Sequence, residues 1–204
     1  MSIPSFTTYP ELETGRFRLR QPRLEDAAAL AVVYGHPEVS RYLLYDDLGS
    51  TKATSEKLAR DLESAKRGEG FRWVLCERGQ DVPLGSVGLF HWNARDRNAE
   101  VGYVLSMPLW GQGVMKELLP TLLRFGFVQM GLHRIEARLD PRNAASMRVL
   151  TRAGFQPEGV QRENCAGPGG FTDTALFSLL EREWRRDTSS DAPEKNECPG
   201  GSLP

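Results

Sequence analysis

The spacing of hydrophobic residues changes several times along this chain, and each change marks a different kind of element. After an arm containing Pro and Thr, Phe17–Gln21 alternates apolar and polar residues as a half-buried strand does, and Pro22 stops it. From Leu24 to Tyr34 the period becomes helical, with Glu25 and Asp26 in the first turn and Leu30, Val33 and Tyr34 on one stripe. Pro37 can begin a short second helix, where its missing N–H costs nothing. Thr51–Arg67 predicts a third helix, charged on most faces and closed by Gly68 and Gly70. The middle of the chain reads as strands. Phe71–Glu77 and Leu84–Trp92 flank the turn signal Gly79-Gln80-Asp81, which predicts a hairpin, and Asn98–Leu105 follows a polar loop.

Helical spacing returns between Gly113 and Met130, where Met115, Leu118, Leu119, Leu122, Phe125 and Met130 lie near one face. Pro120 falls inside that stretch. An interior proline costs about 3 kcal/mol, so a kink is expected there. A strand (Arg134–Leu139), a helix (Asn143–Arg152) and two strands near Phe155–Gln161 and Thr172–Leu179 complete the pattern. Strand, helix, strand, helix, strand across residues 98–160 implies a βαβ centre within a mixed sheet.

The 204 residues suit one domain able to bury its own core. With 26 basic and 27 acidic side chains the net charge is -1, so no global field favours nucleic acid or an anionic membrane, and neither is expected as a partner. No apolar run approaches the roughly 18 residues of a spanning helix, and the amino terminus lacks a signal-peptide pattern. Cys76, Cys165 and Cys198 form neither a disulfide framework nor a zinc pattern, and His36, His91 and His133 are scattered. No metal and a cytoplasmic location are therefore expected. Thr188–Pro204 is rich in Ser, Pro, Gly and charge with a single Leu, which predicts a disordered tail after one domain at residues 1–187.

Two motifs carry candidate chemistry. In Leu105-Ser-Met-Pro-Leu-Trp-Gly-Gln-Gly-Val-Met-Lys116, a strand end runs into a helix start, with Gly111 and Gly113 one residue apart. Such glycines permit a tight turn whose successive N–H groups, at the positive end of a helix, suit an anion such as pyrophosphate. An ordinary tight turn would look similar, whereas the P-loop and dinucleotide fingerprints are both absent. In the second motif, Asp140-Pro-Arg-Asn-Ala-Ala-Ser146 leads to Gly154-Phe155, and Asn143 is a good N-cap. Taken alone, that motif describes a capped amphipathic helix.

Together, Glu100-Val-Gly-Tyr-Val-Leu, Trp110-Gly-Gln-Gly-Val-Met and Asn143-Ala-Ala-Ser-Met-Arg-Val-Leu-Thr-Arg-Ala-Gly-Phe155 resemble the Gcn5-related (GNAT) N-acetyltransferases in order and spacing. They look most like the Rim type, which acetylates N-termini of ribosomal proteins, and the resemblance runs from about Arg16 to about Trp184. It implies an α+β sandwich with a mixed, mostly antiparallel central sheet, splayed parallel strands and flanking helices. It implies acetyl-CoA as donor and an amine acceptor, a protein N-terminus or a small molecule, and it is compatible with a homodimer. By the same resemblance, Val104 and Leu105 would pair with the pantetheine arm. Gly111, Gln112, Gly113, Val114, Met115 and Lys116 would form the pyrophosphate turn, and Asn143 and Ser146 would lie near the pantetheine and the thioester sulfur. Trp110 replaces the usual Arg or Gln, Met115 crowds the helix start, and Leu150 stands where many relatives carry a tyrosine acid.

Acetyl transfer to an amine needs reactant positioning, removal of a proton from the ammonium and stabilisation of an oxyanion. Glu100 is the candidate base, against the alternative of an exposed strand glutamate. A backbone N–H near Leu105 is the candidate oxyanion donor. Ser146 could protonate the departing thiolate or merely allow close packing. Cys76, in mid-strand, reads as a structural thiol. The acceptor pocket is expected from the first helices and the segments around His91-Trp92 and Asn164-Cys-Ala-Gly167. A non-catalytic acyl-CoA-binding module and a small-molecule resistance acetyltransferase are the rival readings.

Overall fold

The computed structural model describes residues 6–43, 48–167 and 170–190, with side chains up to residue 186. Its strands are β1 (Leu12–Glu13), β2 (Phe17–Arg20), β3 (Gly70–Glu77), β4 (Gly85–Asn93), β5 (Asn98–Leu105), β6 (Arg134–Leu139), β7 (Gln156–Gly167) and β8 (Gly170–Leu180). They form one sheet of eight strands in the order β1-β2-β3-β4-β5-β6-β8-β7. Neighbours are antiparallel except β5 and β6, which run parallel because helix α4 (Val114–Arg124) carries the chain back across one face. The remaining helices are α1 (Ala27–Gly35), α2 (Pro37–Ser40), α3 (Thr51–Lys66), α5 (Ala144–Arg152) and α6 (Glu181–Ser190). This is the mixed α+β architecture that the sequence implied.

Strand alternation divides the core between the two faces. Phe71, Trp73 and Leu75 of β3 and Ala99 and Val101 of β5 pack with Leu118, Leu119 and Leu122 of α4. Val74, Cys76 and Val104 lie on the opposite face, under Leu30, Val33 and Tyr34 of α1 and Leu58 of α3. The Cys76 thiol is buried there, and burial pushes its pKa up, as befits a structural thiol.

Several expectations shift in detail. A short 3-10 turn at Leu24–Asp26 precedes α1, so the stretch 24–34 is not one helix. Helix α4 is unbroken through Pro120, which lies on its exposed side. The irregularity comes later, as a π turn over Phe125–Gln129 closed by Met130 N–H to Phe125 O at 3.0 Å. Arg20, on the polar side of an alternating strand, is only 1% exposed and grips Asp26 with two nitrogens at 2.7 and 2.9 Å. Helix α6 was not anticipated: Trp184 stacks on Phe127 with ring centroids 5.2 Å apart. It runs through Ser190, past the expected domain end at Asp187, and the rest of the proposed tail lies outside the described residues.

Candidate active site

The parallel pair parts company halfway. β5 and β6 are in register only over Asn98–Glu100 against Arg134–Glu136, although β5 continues to Leu105 and β6 to Leu139. Beyond Glu100 the two strands are splayed, and β5 remains held by β4 alone as far as Leu105. On the β4 side Ser106 N–H reaches Leu84 O at 2.8 Å. Peptide groups alternate along an antiparallel edge, so Val104 N–H points the same way, and Tyr103 and Leu105 N–H face the gap. This corrects the expected role of Val104, whose backbone belongs to the β4 ladder while its side chain packs beneath α1 and α3. Leu105 O accepts the Trp110 indole N–H at 3.0 Å, so Trp110 braces the strand end from the loop that follows.

That loop passes through a 3-10 turn at Met107–Leu109 and then Gly111 and Gly113, with φ of 73° and 72°. Both have left-handed backbone, which glycine adopts without strain. Gly113 is the N-cap of α4, and the first intrahelical bond runs from Glu117 N–H to Gly113 O at 3.2 Å. The N–H groups of Val114, Met115 and Lys116 therefore precede the helical ladder and form its positive end. Gln112 differs from expectation: its N–H turns back to Leu109 O at 3.4 Å and its side-chain amide donates to Pro108 O at 2.6 Å. Met115 does not crowd the turn, because its side chain is buried in the core below.

A strap ties this turn to the β1–β2 hairpin. Arg16 donates from its backbone N–H and Nε to Glu117 at 2.7 Å each, and from its other guanidinium nitrogen to Gln112 O at 3.2 Å. Burial pushes the Glu117 carboxyl up, but donors on Thr14 and Arg16 outweigh it and hold the pKa at about 2.

Across the gap, Asn143 caps α5 by accepting Ser146 N–H on Oδ1 at 3.0 Å. The plain helix-cap reading of Asn143 is thus correct for that oxygen. Facing Ser146 from β5 is Tyr103, which sequence reasoning missed. Its hydroxyl is a buried polar atom without a hydrogen-bond partner among the described residues. Ser146 bears on it electrostatically at a geometry short of a hydrogen bond. Its position in an alternating strand next to Gly102 gave no signal beyond a half-buried aromatic.

Where the strands part, Glu100 lines a cleft of about 240 Å³ with His91, Asn98, Ala99, Glu136 and Arg138. Glu100 is 8% exposed, so the alternative of an exposed strand glutamate does not hold. Its Oε2 lies 3.3 Å from His91 Nδ1 and 3.8 Å from Arg138 Nε. Of the expected acceptor segments, His91 reaches this cleft. Asn164, Cys165, Ala166 and Gly167 instead belong to strand β7. Among the described residues, no three His, Cys, Asp or Glu side chains converge as metal ligands would, and no helix is long and apolar enough to cross a membrane.

Known proteins share this domain and its fold. A family model described as an acetyltransferase (GNAT) domain matches residues 16–156. The chain belongs to that family and is an N-acetyltransferase. Over 178 residues it is 33% identical to the uncharacterized N-acetyltransferase p20 of Bacillus licheniformis, covering 85% of this chain and 97% of that protein. It is 31% identical over 129 residues to the [ribosomal protein uS5]-alanine N-acetyltransferase of Escherichia coli, covering 60% of this chain and 63% of that enzyme. A solved structure of a probable GNAT-family acetyltransferase from Chromobacterium violaceum matches with TM-score 0.77 and 25% identity, over 91% of this chain and 93% of that one.

The family implies acetyl-CoA as donor, and the residues present suit it. Among the described residues, the Tyr103 and Leu105 N–H groups on the gap side meet no facing strand, and the buried Tyr103 hydroxyl has no hydrogen-bond partner. A Cβ on Gly111 or Gly113 would meet no atom within 4 Å, so the turn is open where an anion would approach.

Proposed function

We propose that this protein transfers the acetyl group of acetyl-CoA directly to a primary amine held in the Glu100 cleft, with protein N-terminal α-amines as the acceptor class. The supporting observation is the placement of Glu100, a nearly buried carboxylate at the point where β5 and β6 separate. A pantetheine arm lying along the free edge of β5 would bring its thioester to that point. Val114, Met115 and Lys116 would donate N–H groups to the pyrophosphate, Leu105 N–H to the pantetheine arm beside that turn, and a gap-facing N–H of β5 nearer Glu100 to the developing oxyanion. Asn143 would hold the pantetheine, and Ser146 would protonate the thiolate as it leaves. Glu100 and Glu136 give the cleft the negative character that attracts an ammonium, and Glu100 drives its deprotonation, directly or through a group that it holds. Kinship with the ribosomal-protein uS5 alanine acetyltransferase favours a peptide terminus over a small amine.

The test is thiol release from acetyl-CoA against peptides of varied first residue, polyamines, aminoglycosides and free amino acids. Turnover on peptides whose kcat/KM exceeds that of every small amine is the expected result. Preference for a small amine would reject the acceptor class. Acetyl-CoA binding without turnover on any amine would reject catalysis in favour of an acyl-CoA-binding module.

A further inference from the structure

The backbone of β4 breaks its own alternation beside Glu100. From Phe90 to Asn93 the strand takes three steps, while β5 takes two from Glu100 to Asn98, so β4 carries one extra residue. Leu89 and Trp92 both pack into the core on the α4 side, leaving Phe90 and His91 in succession toward the other face. His91 is the residue that absorbs the mismatch, with φ of 52° in the left-handed region. A non-glycine residue held there is strained, and bulges beside active sites serve to re-aim a side chain. The strain here has a visible product: the imidazole stands edge-on to Phe90, with centroids 4.9 Å apart and Nδ1 3.3 Å from Glu100 Oε2. With Nδ1 turned to the carboxylate, Nε2 lies on the far side of a ring that is 72% exposed and lines the cleft.

We propose that His91 and Glu100 form a dyad in which His91 Nε2 takes the proton from the acceptor ammonium, while Glu100 orients the ring and offsets its charge. This rests on the acetyltransferase reading above and names the atom that does its acid–base work. Exposure favours the imidazole: the Glu100 residue is only 8% exposed, whereas the His91 side chain is 72% exposed and lines the cleft. The freed lone pair attacks the thioester carbonyl and forms the C–N bond, and the C–S bond breaks on collapse. The remaining amine proton ends on the thiolate sulfur, and the imidazolium returns its proton to solvent. Charged groups facing the ring are Glu100 from β5, Glu136 and Arg138 from β6, and Glu69 at the start of β3, which interacts with His91 electrostatically. The 3.3 Å separation is long for a hydrogen bond, as such contacts often are before substrate closes the site.

The test uses the full chain and the best acceptor from the screen. Asn and Gly both tolerate left-handed backbone, so His91→Asn and His91→Gly keep the bulge. With acceptor saturating at neutral pH, kcat should fall by roughly 10²–10⁴-fold, the worth of a general base. The stabilisation by acetyl-CoA should be unchanged. The deficit should shrink as pH rises and the amine neutralises itself, and millimolar imidazole should restore turnover in His91→Gly. Wild-type kcat in His91→Asn, a rise in acceptor KM alone, or a deficit that neither alkali nor imidazole relieves would each overturn the dyad while leaving the acetyltransferase reading intact. A wild-type chain that releases no thiol with any amine would remove both.

Discussion

Replacing Tyr103 by Phe deletes one oxygen and keeps the ring, so its consequences can be worked out for each state of the protein. In the free protein the hydroxyl is buried without a hydrogen-bond partner among the described residues. Such a group costs about 1–3 kcal/mol of lost hydration. Removing it should therefore stabilise the unliganded chain by about 1 kcal/mol, which for a chain of this size raises Tm by roughly 2–4 °C. With acetyl-CoA bound the sign reverses, because the hydroxyl would donate to the ligand across the gap beside Ser146. A net hydrogen bond of about 0.5–1.5 kcal/mol is then lost, and with the roughly 1 kcal/mol gained by the free chain the cycle weakens affinity by about 1.5–2.5 kcal/mol, roughly ten- to seventyfold. Burial, partly offset by Ser146, pushes the tyrosine pKa up to about 12, so the group is a neutral donor and both effects should be flat from weakly acidic to moderately alkaline pH. Thermal melts of both proteins with and without saturating acetyl-CoA give the numbers. The reasoning fails if Tyr103→Phe melts lower than wild type when free, or if acetyl-CoA raises the melting temperature of both by the same amount.

Other positions give further checks. Gly113→Val places a β-branched residue at φ of 72° in open space, so the chain should fold at a cost of about 1–2 kcal/mol and lose its stabilisation by acetyl-CoA, as read by thermal shift. Glu100→Gln should bind acetyl-CoA normally while kcat drops roughly 10²–10⁴-fold, with a deficit that narrows at high pH in a pH–rate profile. Asp26→Asn leaves the buried Arg20 guanidinium to Asp81, which is half exposed, and should cost about 3 kcal/mol in urea denaturation. Glu117 has a folded pKa of about 2, below the ordinary carboxylate value near 4.3, so its contribution is complete above about pH 4.3 and lost as pH falls toward 2. Glu117→Gln should flatten that acid limb in stability measurements across the window.

Where local pattern alone determined structure, the sequence was legible. Strands β5 and β6 begin and end at the expected residues, because alternation and flanking turn residues act within a few positions. The two-glycine turn was equally plain, since left-handed backbone at Gly111 and Gly113 leaves a compositional mark. What escaped depends on partners distant in sequence. Arg20 looked solvent-facing because a charge normally is, and only Asp81, 61 residues away, completes its cage with Asp26. The bulge at His91 was hidden because Phe90-His91-Trp92 reads as ordinary alternation, and the extra residue appears only against the register of β5. Helix α6 lacks a wide apolar stripe and is anchored by Trp184 on Phe127, a contact that periodicity does not encode.

The splay has a mechanical consequence. Among the described residues, three pairs, Asn98–Glu100 with Arg134–Glu136, join the five strands β1–β5 to the three strands β6–β8 as a continuous sheet. The molecule is thus two half-sheets sharing a short seam, bridged on the α4 face by one core in which Leu89 and Val101 pack with Ile135 and Leu179. An acyl carrier lying along β5 and pinned by α5 would act as a temporary stitch across that seam, turning binding energy into cooperativity between the halves. Amides of β8, a strand that borders no part of the gap, should exchange more slowly when acetyl-CoA is bound. In such an enzyme the donor would also be a structural member, and release of the spent thiol would loosen the frame that the next donor must close.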